Sequence, residues 1–287
     1  MNILITGGLG FVGSHLANFL SKQNHTIFVL DNLFTGDVSN LEKYGDTINK
    51  NCHFYFGETK DICMIFKDLK IDLIYHLGEY SRVEQSFEDI DIVFDYNWKS
   101  IYEVLKFTRQ QNAKLIYCGS STKFGDKGQT KFSSPYAYTK TANTELVKTY
   151  CEWFNLKYAI TYFYNVYGKG EIDTGKYATV IGKFIKAKKK NEKVVITKPG
   201  TQQRNFTYID DVINALELIG RKGLGDDFGI GNDIEYDILS IAKMLDLEYE
   251  LGDEKKGNRM KADVISDKTK ALGWEAKIQL KDYLKSI

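Results

Sequence analysis

The chain has 287 residues, of which 43% are hydrophobic and 27% charged, a balance typical of soluble globular proteins. A formal charge of +1 gives no reason to expect a nucleic acid or a membrane surface as a partner, and the apolar runs are too short to span a bilayer. The four cysteines are scattered without C-x-x-C pairs, so we expect reduced thiols in a cytoplasmic protein and no metal site.

Short apolar runs alternate with helix-length segments over the first two-thirds of the chain. The predicted strands cover residues 3–6, 26–31, 53–56, 73–77, 114–119 and 158–162, and the predicted helices cover roughly 11–23, 60–69, 83–111 and 136–154. Buried strands separated by helices favour a parallel sheet with both faces covered. This pattern predicts the α/β class, with a doubly wound parallel sheet.

The pattern becomes irregular after Asn165. A helix near 176–190, a strand at 193–197 and a helix from about 209 are the main predicted elements. We therefore predict a first domain in residues 1–165 and a smaller, intertwined C-terminal substrate lobe in residues 166–287. In this prediction, part of residues 200–240 can belong to the first domain.

A glycine-rich turn, Gly7-Gly8-Leu9-Gly10-Phe11-Val12-Gly13, follows the first predicted strand and opens the first helix. Glycines allow a tight turn and a close approach of the backbone to a pyrophosphate, whose charge meets the helix N-terminus. Asp31 ends the second strand about twenty residues on, where a carboxylate accepts hydrogen bonds from a ribose diol and repels a 2′-phosphate. The turn predicts a Rossmann site and Asp31 favours NAD over NADP as its cofactor; a glycine turn without a nucleotide is the alternative.

The pentad Tyr136-Ala137-Tyr138-Thr139-Lys140 places Tyr136 and Lys140 one turn apart on a helix face. A lysine ammonium there can stabilise a phenolate, the form of tyrosine that removes a proton from an alcohol. Lowering a phenol pKa from near 10 to about 7 requires roughly 4 kcal/mol. An ordinary amphipathic helix is the alternative, and Tyr138 is excluded because Ala142, not a lysine, follows it by four residues.

Motifs along nearly the whole chain resemble the extended short-chain dehydrogenase/reductases of the nucleotide-sugar epimerase/dehydratase group, to which UDP-glucose 4-epimerase belongs. They are T-G-G-L-G-F-V-G-S-H at the start, G-E-T-K-D at 57–61, H-L-G-E-Y-S-R-V-E-Q-S at 76–86, G-S-S-T-K-F-G at 119–125, S-P-Y-A-Y-T-K at 134–140, Y-N-V-Y-G at 164–168, R-N-F-T-Y-I-D-D at 204–211 and L-G-W at 272–274. The resemblance implies NAD as cofactor and a nucleotide-diphosphate sugar as substrate, a UDP-hexose foremost. It also implies a homodimer formed through the helices at 83–111 and 136–154.

The same resemblance implies a set of cofactor contacts in the first domain. The set is Gly7, Gly10, Phe11, Val12, Gly13, Asp31, Asn32, Glu58, Thr59, Leu77, Gly78, Asn97, Tyr136 and Lys140. Glu58 and Thr59 stand beside the adenine in this comparison, and Asn97 lies under the cofactor.

By resemblance Ser120, Tyr136 and Lys140 are the catalytic residues. Ser120 shares a proton with the substrate alcohol and with Tyr136, the general base and acid, while Lys140 holds the nicotinamide ribose. Ser121, or a merely structural role for Ser120, is the competing interpretation.

The two residues after Ser120 bear on the reaction type. The 4,6-dehydratases of this group carry Asp-Glu directly after the hydroxyl residue, whereas Ser121 and Thr122 cannot perform that acid–base work near neutral pH. We therefore predict a nucleotide-sugar 4-epimerase that acts through a transient 4-keto-hexose. A 4,6-dehydratase, a C4 dehydrogenase that releases the keto sugar and, least favoured, a non-catalytic NAD-binding regulator remain alternatives.

Five residues are predicted to bind the substrate: Glu79, Ser81, Asn165, Arg204 and Arg259. Asn165 and Arg204 resemble contacts to the sugar-nucleotide diphosphate, and Arg259 resembles a second phosphate contact in less similar surroundings. Each of these three has a surface position as its alternative. Glu79 stands where the family usually has a small residue, and it is either a substrate-side carboxylate or a solvent-facing loop acid.

Overall fold

The computed structural model describes residues 1–43 and 51–287. The strands in these residues are β1 (Asn2–Thr6), β2 (Thr26–Asp31), β3 (Cys52–Phe56), β4 (Leu73–His76), β5 (Lys114–Ser120), β6 (Tyr158–Phe163), β7 (Val166–Tyr167), β8 (Val194–Thr197), β9 (Gln203–Asn205), β10 (Thr207–Tyr208), β11 (Gly225–Ile230), β12 (Glu235–Asp237) and β13 (Tyr249–Gly252). The α-helices are α1 (Phe11–Ser21), α2 (Ser39–Lys43), α3 (Ile62–Ile65), α4 (Ile90–Val93), α5 (Ser100–Gln111), α6 (Pro135–Trp153), α7 (Val180–Lys190), α8 (Ile209–Lys222), α9 (Ile238–Met244), α10 (Asp267–Ala271) and α11 (Leu280–Lys285).

A seven-stranded sheet in the order β3-β2-β1-β4-β5-β6-β11 forms the centre, and every neighbouring pair in it is parallel. Successive side chains of a strand point to opposite faces. In β1, Ile3 and Ile5 accordingly pack with α1 and α8 on one face, while Leu4 packs with α5 and α6 on the other. The predicted doubly wound parallel sheet is confirmed.

The strand order reverses between β1 and β4, which lie side by side with Thr6 opposite His76. Ligands of doubly wound folds bind at this reversal, beyond the carboxyl ends of the strands. The glycine turn that follows β1 and the loop that follows β4 therefore meet at one edge of the sheet.

Two predicted helices differ in the structure. The segment predicted at 60–69 is a single 3₁₀ turn, Thr59–Asp61, followed by the four-residue α3. The helix predicted over 83–111 begins only at Ile90, and the π-helical segment Phe94–Lys99 joins α4 to α5. An irregular stretch is thus left at residues 77–89, beside the site.

The C-terminal lobe has its own core, in which α7, α9 and α11 pack with β8 around side chains such as Phe184, Ile196 and Ile241. The segment between β8 and α9 returns to the central sheet. Within it, α8 covers one face of the sheet and β11 extends the edge beside β6. The returning residues, 209–230, fall inside the 200–240 range, and the division at residue 165 remains a prediction.

Within residues 1–43 and 51–287, each helix is too short or too polar to cross a membrane.

Candidate active site

A cavity of about 670 Å³ lies at the carboxyl edge of the sheet, between the sheet domain and the C-terminal lobe. The glycine turn, the ends of β4 and β5, the start of α6 and loops of the lobe line it. It contains every predicted site residue except Asn97. Predicted site residues up to 252 positions apart in the chain, from Gly7 to Arg259, therefore line the same cavity.

The glycine turn fits a pyrophosphate. No described side chain caps the start of α1, so the first amides of this helix remain available to an anion at the cavity. A Cβ on Gly13 would lie 2.2 Å from the Gly7 carbonyl oxygen, and Gly7 itself has a φ of +67°. Side chains at these two positions would break the turn.

Asp31 lies at the end of β2, beside the glycine turn. Its two carboxylate oxygens accept hydrogen bonds from the backbone N–H groups of Leu9, at 2.9 Å, and Leu33, at 2.8 Å. Burial raises the pKa of Asp31, and these backbone bonds act against the rise. Each oxygen keeps further acceptor capacity, which suits a ribose diol. The turn, the helix start and Asp31 together fit NAD.

The local sequence holds Ser120, Tyr136 and Lys140 at the carboxyl edge of the sheet. Ser134 caps α6 by accepting a hydrogen bond from Ala137 N at 3.0 Å, and Pro135 occupies the first helical position. Tyr136 is thus held in the first turn, with Lys140 one turn later. Ser120 ends β5, and its Oγ accepts from Thr122 Oγ1 at 2.8 Å.

Ser120 and Lys140 both act on the Tyr136 hydroxyl. Burial, the largest influence, raises the pKa of the Tyr136 hydroxyl, while the Lys140 charge and the Ser120 hydroxyl act to lower it. The arrangement can therefore pass a proton between a bound alcohol and Tyr136, with Lys140 favouring the phenolate.

Glu79 is buried, with 4% of its side chain exposed, so the solvent-facing interpretation of this residue is wrong. Its carboxylate forms an ion pair with Lys140 and accepts hydrogen bonds from Tyr117 OH, at 3.0 Å, and Asn143 Nδ2, at 3.0 Å. Burial disfavours its ionisation, yet Lys140 and His76 hold the pKa of Glu79 at about 2. A role as a substrate-side carboxylate remains a prediction.

Two arginines line the cavity, the buried Arg259 and the half-buried Arg204. Burial and the positive charge of Arg259 lower the pKa of Arg204 to about 10. Arg204 Nη2 donates to Asn258 Oδ1 at 2.8 Å, and Arg259 Nη2 donates to Ser121 Oγ at 3.1 Å. Arg259 Nη1 is buried without a hydrogen-bond partner, and neither guanidinium is in a salt bridge within the described ranges. Two neighbouring cations that form no salt bridge among the described residues suit a multiply charged anion, although the Asp126 carboxylate acts on both.

Asn165 and Ser81 also line the cavity. Asn165 has a φ of +37° and anchors its side chain on the Asn205 carbonyl at 2.8 Å. Ser81 Oγ accepts from Arg82 Nη1 at 3.2 Å.

Asn97 is not among the residues that line the cavity, and its predicted place under the cofactor remains a prediction. Its Oδ1 accepts from Tyr80 N at 2.7 Å and its Nδ2 donates to Thr139 Oγ1 at 3.1 Å. With its side chain fully buried in these contacts, Asn97 ties the loop after β4 to α6.

Sequence reasoning missed the residues that close the cavity from the lobe side. Arg82 Nε and Nη2 donate to the Tyr177 carbonyl at 2.8 and 2.6 Å, and Tyr177 OH donates to Asp89 at 2.9 Å. Arg82 belongs to the quoted motif at 76–86, whereas Tyr177 falls in the helix predicted near 176–190, and α7 begins only at Val180.

Comparisons with known proteins agree with this geometry. Residues 3–231 match the sequence profile of the NAD dependent epimerase/dehydratase family. A dTDP-D-glucose 4,6-dehydratase from Dictyostelium discoideum is 32% identical over 85% of this chain, which spans 61% of that protein. A dTDP-D-glucose 4,6-dehydratase from Bos taurus is 30% identical, with 99% of this chain and 86% of that protein covered.

Among solved structures, the UDP-glucose 4-epimerase of Thermotoga maritima, crystallised with UDP-glucose, is 28% identical with a TM-score of 0.90. That match covers 99% of this chain and 96% of the other. The predicted resemblance is confirmed: the chain belongs to the NAD-dependent epimerase/dehydratase family of nucleotide-sugar enzymes.

Proposed function

We propose that the protein is a nucleotide-sugar 4-epimerase that acts through a transient 4-keto-hexose. Tyr136 removes the proton from the C4 hydroxyl, Ser120 holds that hydroxyl, and Lys140 favours the phenolate. The glycine turn and Asp31 would hold NAD, which would supply the hydride chemistry at C4, with the hydride returned to the opposite face of the keto sugar. Arg204 and Arg259 bind the diphosphate, so that the sugar extends toward Ser120 and Tyr136.

The two residues directly after Ser120 are the observation that favours epimerisation over elimination. Ser121 accepts a hydrogen bond from Arg259, and Thr122 donates one to Ser120, so both hydroxyls are engaged and neither position supplies a carboxyl group. Elimination of water across C5 and C6 requires an acid and a base at the sugar. A keto sugar formed here therefore lacks, at these positions, the groups that would drive elimination.

The 4,6-dehydratase is the second candidate, because two of the relatives described above bear that name and because a further acid lines the cavity. Burial raises the pKa of Glu171 to about 7, a value suited to proton transfer near neutral pH. Its oxygens accept from Gly168 N, at 3.3 Å, and Thr179 Oγ1, at 2.5 Å, which supports a role in holding the loop instead.

One assay separates these activities. The purified protein with NAD is incubated with UDP-, GDP-, CDP- and dTDP-hexoses, and the products are followed by NMR and mass spectrometry. We expect a C4 epimer of unchanged mass from at least one UDP-hexose. A product lighter by one water identifies the dehydratase, net NADH formation identifies a dehydrogenase, and no product from any sugar contradicts the epimerase.

We also propose a homodimer formed by a surface of exposed aromatic side chains on the α4–α5 segment, on α6 and on the turn that precedes α6. Phe94, Trp98, Phe132 and Tyr138 are 36–58% exposed and contact one another through their rings. A contiguous aromatic patch is typical of an interface. Light scattering should give a dimer for the wild type and a monomer for Trp98→Glu, whereas Tyr249→Glu, in the lobe, should stay dimeric. A monomeric wild type contradicts the proposal.

A further inference from the structure

A buried acid in the proton-transfer site has no part in the chemistry described so far. Glu79 lies in the loop after β4, and its carboxylate meets side chains from three other places in the sheet domain. Oε2 pairs with Lys140 and accepts from Tyr117 OH at 3.0 Å; Oε1 accepts from Asn143 Nδ2 at 3.0 Å and lies 3.5 Å from His76 Nε2. Both oxygens are therefore occupied by protein groups.

This contact set fixes the Lys140 ammonium in space. An ammonium has three N–H donors. One faces Glu79 and another faces the Cys118 carbonyl, which leaves one for a ligand in the cavity. Asn143 lies on the same face of α6 and also donates to the Asn97 carbonyl at 2.9 Å, so the acid is anchored to the helix that carries Tyr136.

We propose that Glu79 is a positioning residue for the proton-transfer pair: its carboxylate holds the Lys140 ammonium and offsets part of the positive charge that acts on the Tyr136 hydroxyl. The inference rests on the proposed function for its consequence in turnover, but not for its effect on Tyr136. A lysine that is paired in this way binds the ribose without permanently ionising the tyrosine. The positive charge of a bound oxidised cofactor would add to that of Lys140 and favour the phenolate further.

The other charged groups around Tyr136 leave Glu79 as the acid that faces it. Lys140 on α6 and the two arginines Arg82 and Arg259, from the loop after β4 and from the late segment, all favour the phenolate. The Cys118 thiol on β5 and Glu79 act in the opposite direction, and the Ser120 hydroxyl acts in the same direction as Lys140. Glu79 itself faces His76 on β4 as a further titratable group.

The test follows the ionisation of Tyr136 directly. The NAD-bound protein is labelled with tyrosine carrying ¹³C at the ring carbon that bears the hydroxyl, and the Tyr136 signal is assigned by its loss in Tyr136→Phe. In Glu79→Gln, which keeps the size of the side chain and removes its charge, the titration midpoint of Tyr136 should fall by about one pH unit. Glu145→Gln removes an acid from the exposed face of the same helix and should leave the midpoint in place.

A midpoint that is unchanged or higher in Glu79→Gln overturns the proposal, as does an equal fall in Glu145→Gln. If Glu79→Gln does not fold, Lys140→Met is compared with the double variant Glu79→Gln/Lys140→Met, in which no buried charge of the pair is left alone. The midpoint should again be lower where Glu79 is replaced, and equal midpoints overturn the proposal.

A second readout uses turnover. The acid limb of the pH profile of kcat should move to lower pH by the same amount in Glu79→Gln. An absence of epimerisation in the wild type contradicts the proposed function alone, since the NMR titration does not require a sugar substrate.

Discussion

Arg259 donates a hydrogen bond from Nη2 to Ser121 Oγ across 3.1 Å, which joins a late segment of the chain to the residue that follows Ser120. The proposed diphosphate contact and the proposed proton-transfer site therefore share one wall of the cavity. A change at Arg259 would for this reason also affect the alignment of a substrate at Ser120.

Tyr136→Phe should reduce turnover by at least about 10²-fold, because the aromatic ring remains while the hydroxyl that accepts the proton is lost. Bound NAD, measured by its release on denaturation, should stay near the wild-type content, since Lys140 and the glycine turn are unchanged. Tyr138→Phe, two residues on, is the matched control and should keep its turnover. Turnover unchanged in Tyr136→Phe would remove this residue from the mechanism.

Arg204→Ala should raise KM for the nucleotide sugar roughly 10- to 100-fold, because a charge-assisted contact to the diphosphate is lost. Steady-state kinetics should show a smaller change in kcat, since the arginine binds a part of the substrate that does not react. Arg221→Ala provides the control: Arg221 pairs with Glu217 on the exposed side of α8. Equal KM values for wild type and Arg204→Ala would argue against a diphosphate site here.

Glu171 predicts a pH dependence of stability. Its pKa in the folded protein is about 7, raised mainly by burial, against about 4.3 for an unfolded chain. Between those values the folded protein keeps a proton that the unfolded chain has released, so this contribution to stability is present at low pH and is lost as the pH rises through 7.

The free energy of unfolding of the wild type, taken relative to Glu171→Gln, should therefore fall by about 2 kcal/mol from about pH 5 to about pH 8. Urea denaturation across this range measures the difference. Glu145→Gln, at an exposed site, should run parallel to the wild type. Parallel curves for Glu171→Gln as well would show that Glu171 ionises normally.

Trp274 should be important for stability. It is 5% exposed, packs on the α1–α8 face of the sheet, and donates from Nε1 to the Asp211 carbonyl at 2.8 Å. Trp274→Ala should cost roughly 3–5 kcal/mol through the cavity it leaves. Trp153→Ala, at a position 69% exposed, should cost less than about 0.5 kcal/mol. Similar urea midpoints for the two variants, followed by circular dichroism, would contradict this assignment.

The sequence predicted those parts of the fold that depend on neighbouring residues. Six sheet strands and the glycine turn follow from runs and spacings within about thirty residues, so their existence could be inferred. Strand β11 was missed because its sequence, Gly225-Asp226-Asp227-Phe228-Gly229-Ile230, is not a continuous apolar run, and its place beside β6 is set by tertiary pairing.

The contacts of the site were harder to foresee. Glu79 and Lys140 are 61 residues apart, and nothing in the local pattern of either distinguishes a buried ion pair from a loop acid and a helix cation. The π-helical segment Phe94–Lys99 likewise has no sequence signal that separates it from the α-helix on either side. In both cases the deciding interactions come from other parts of the chain.

The return of α8 and β11 to the sheet has a mechanical consequence. The polypeptide leaves the sheet after β6, re-enters it for residues 209–230, and leaves again before α9, while Trp274 fastens the closing segment onto α8. A rigid-body opening of the lobe would require all the segments that connect it to the sheet to bend together. We therefore expect the substrate to enter by displacement of short loops, such as the loop at Tyr177, whose carbonyl accepts a hydrogen bond from Arg82. The sheet domain and the lobe should keep their distance from each other during entry.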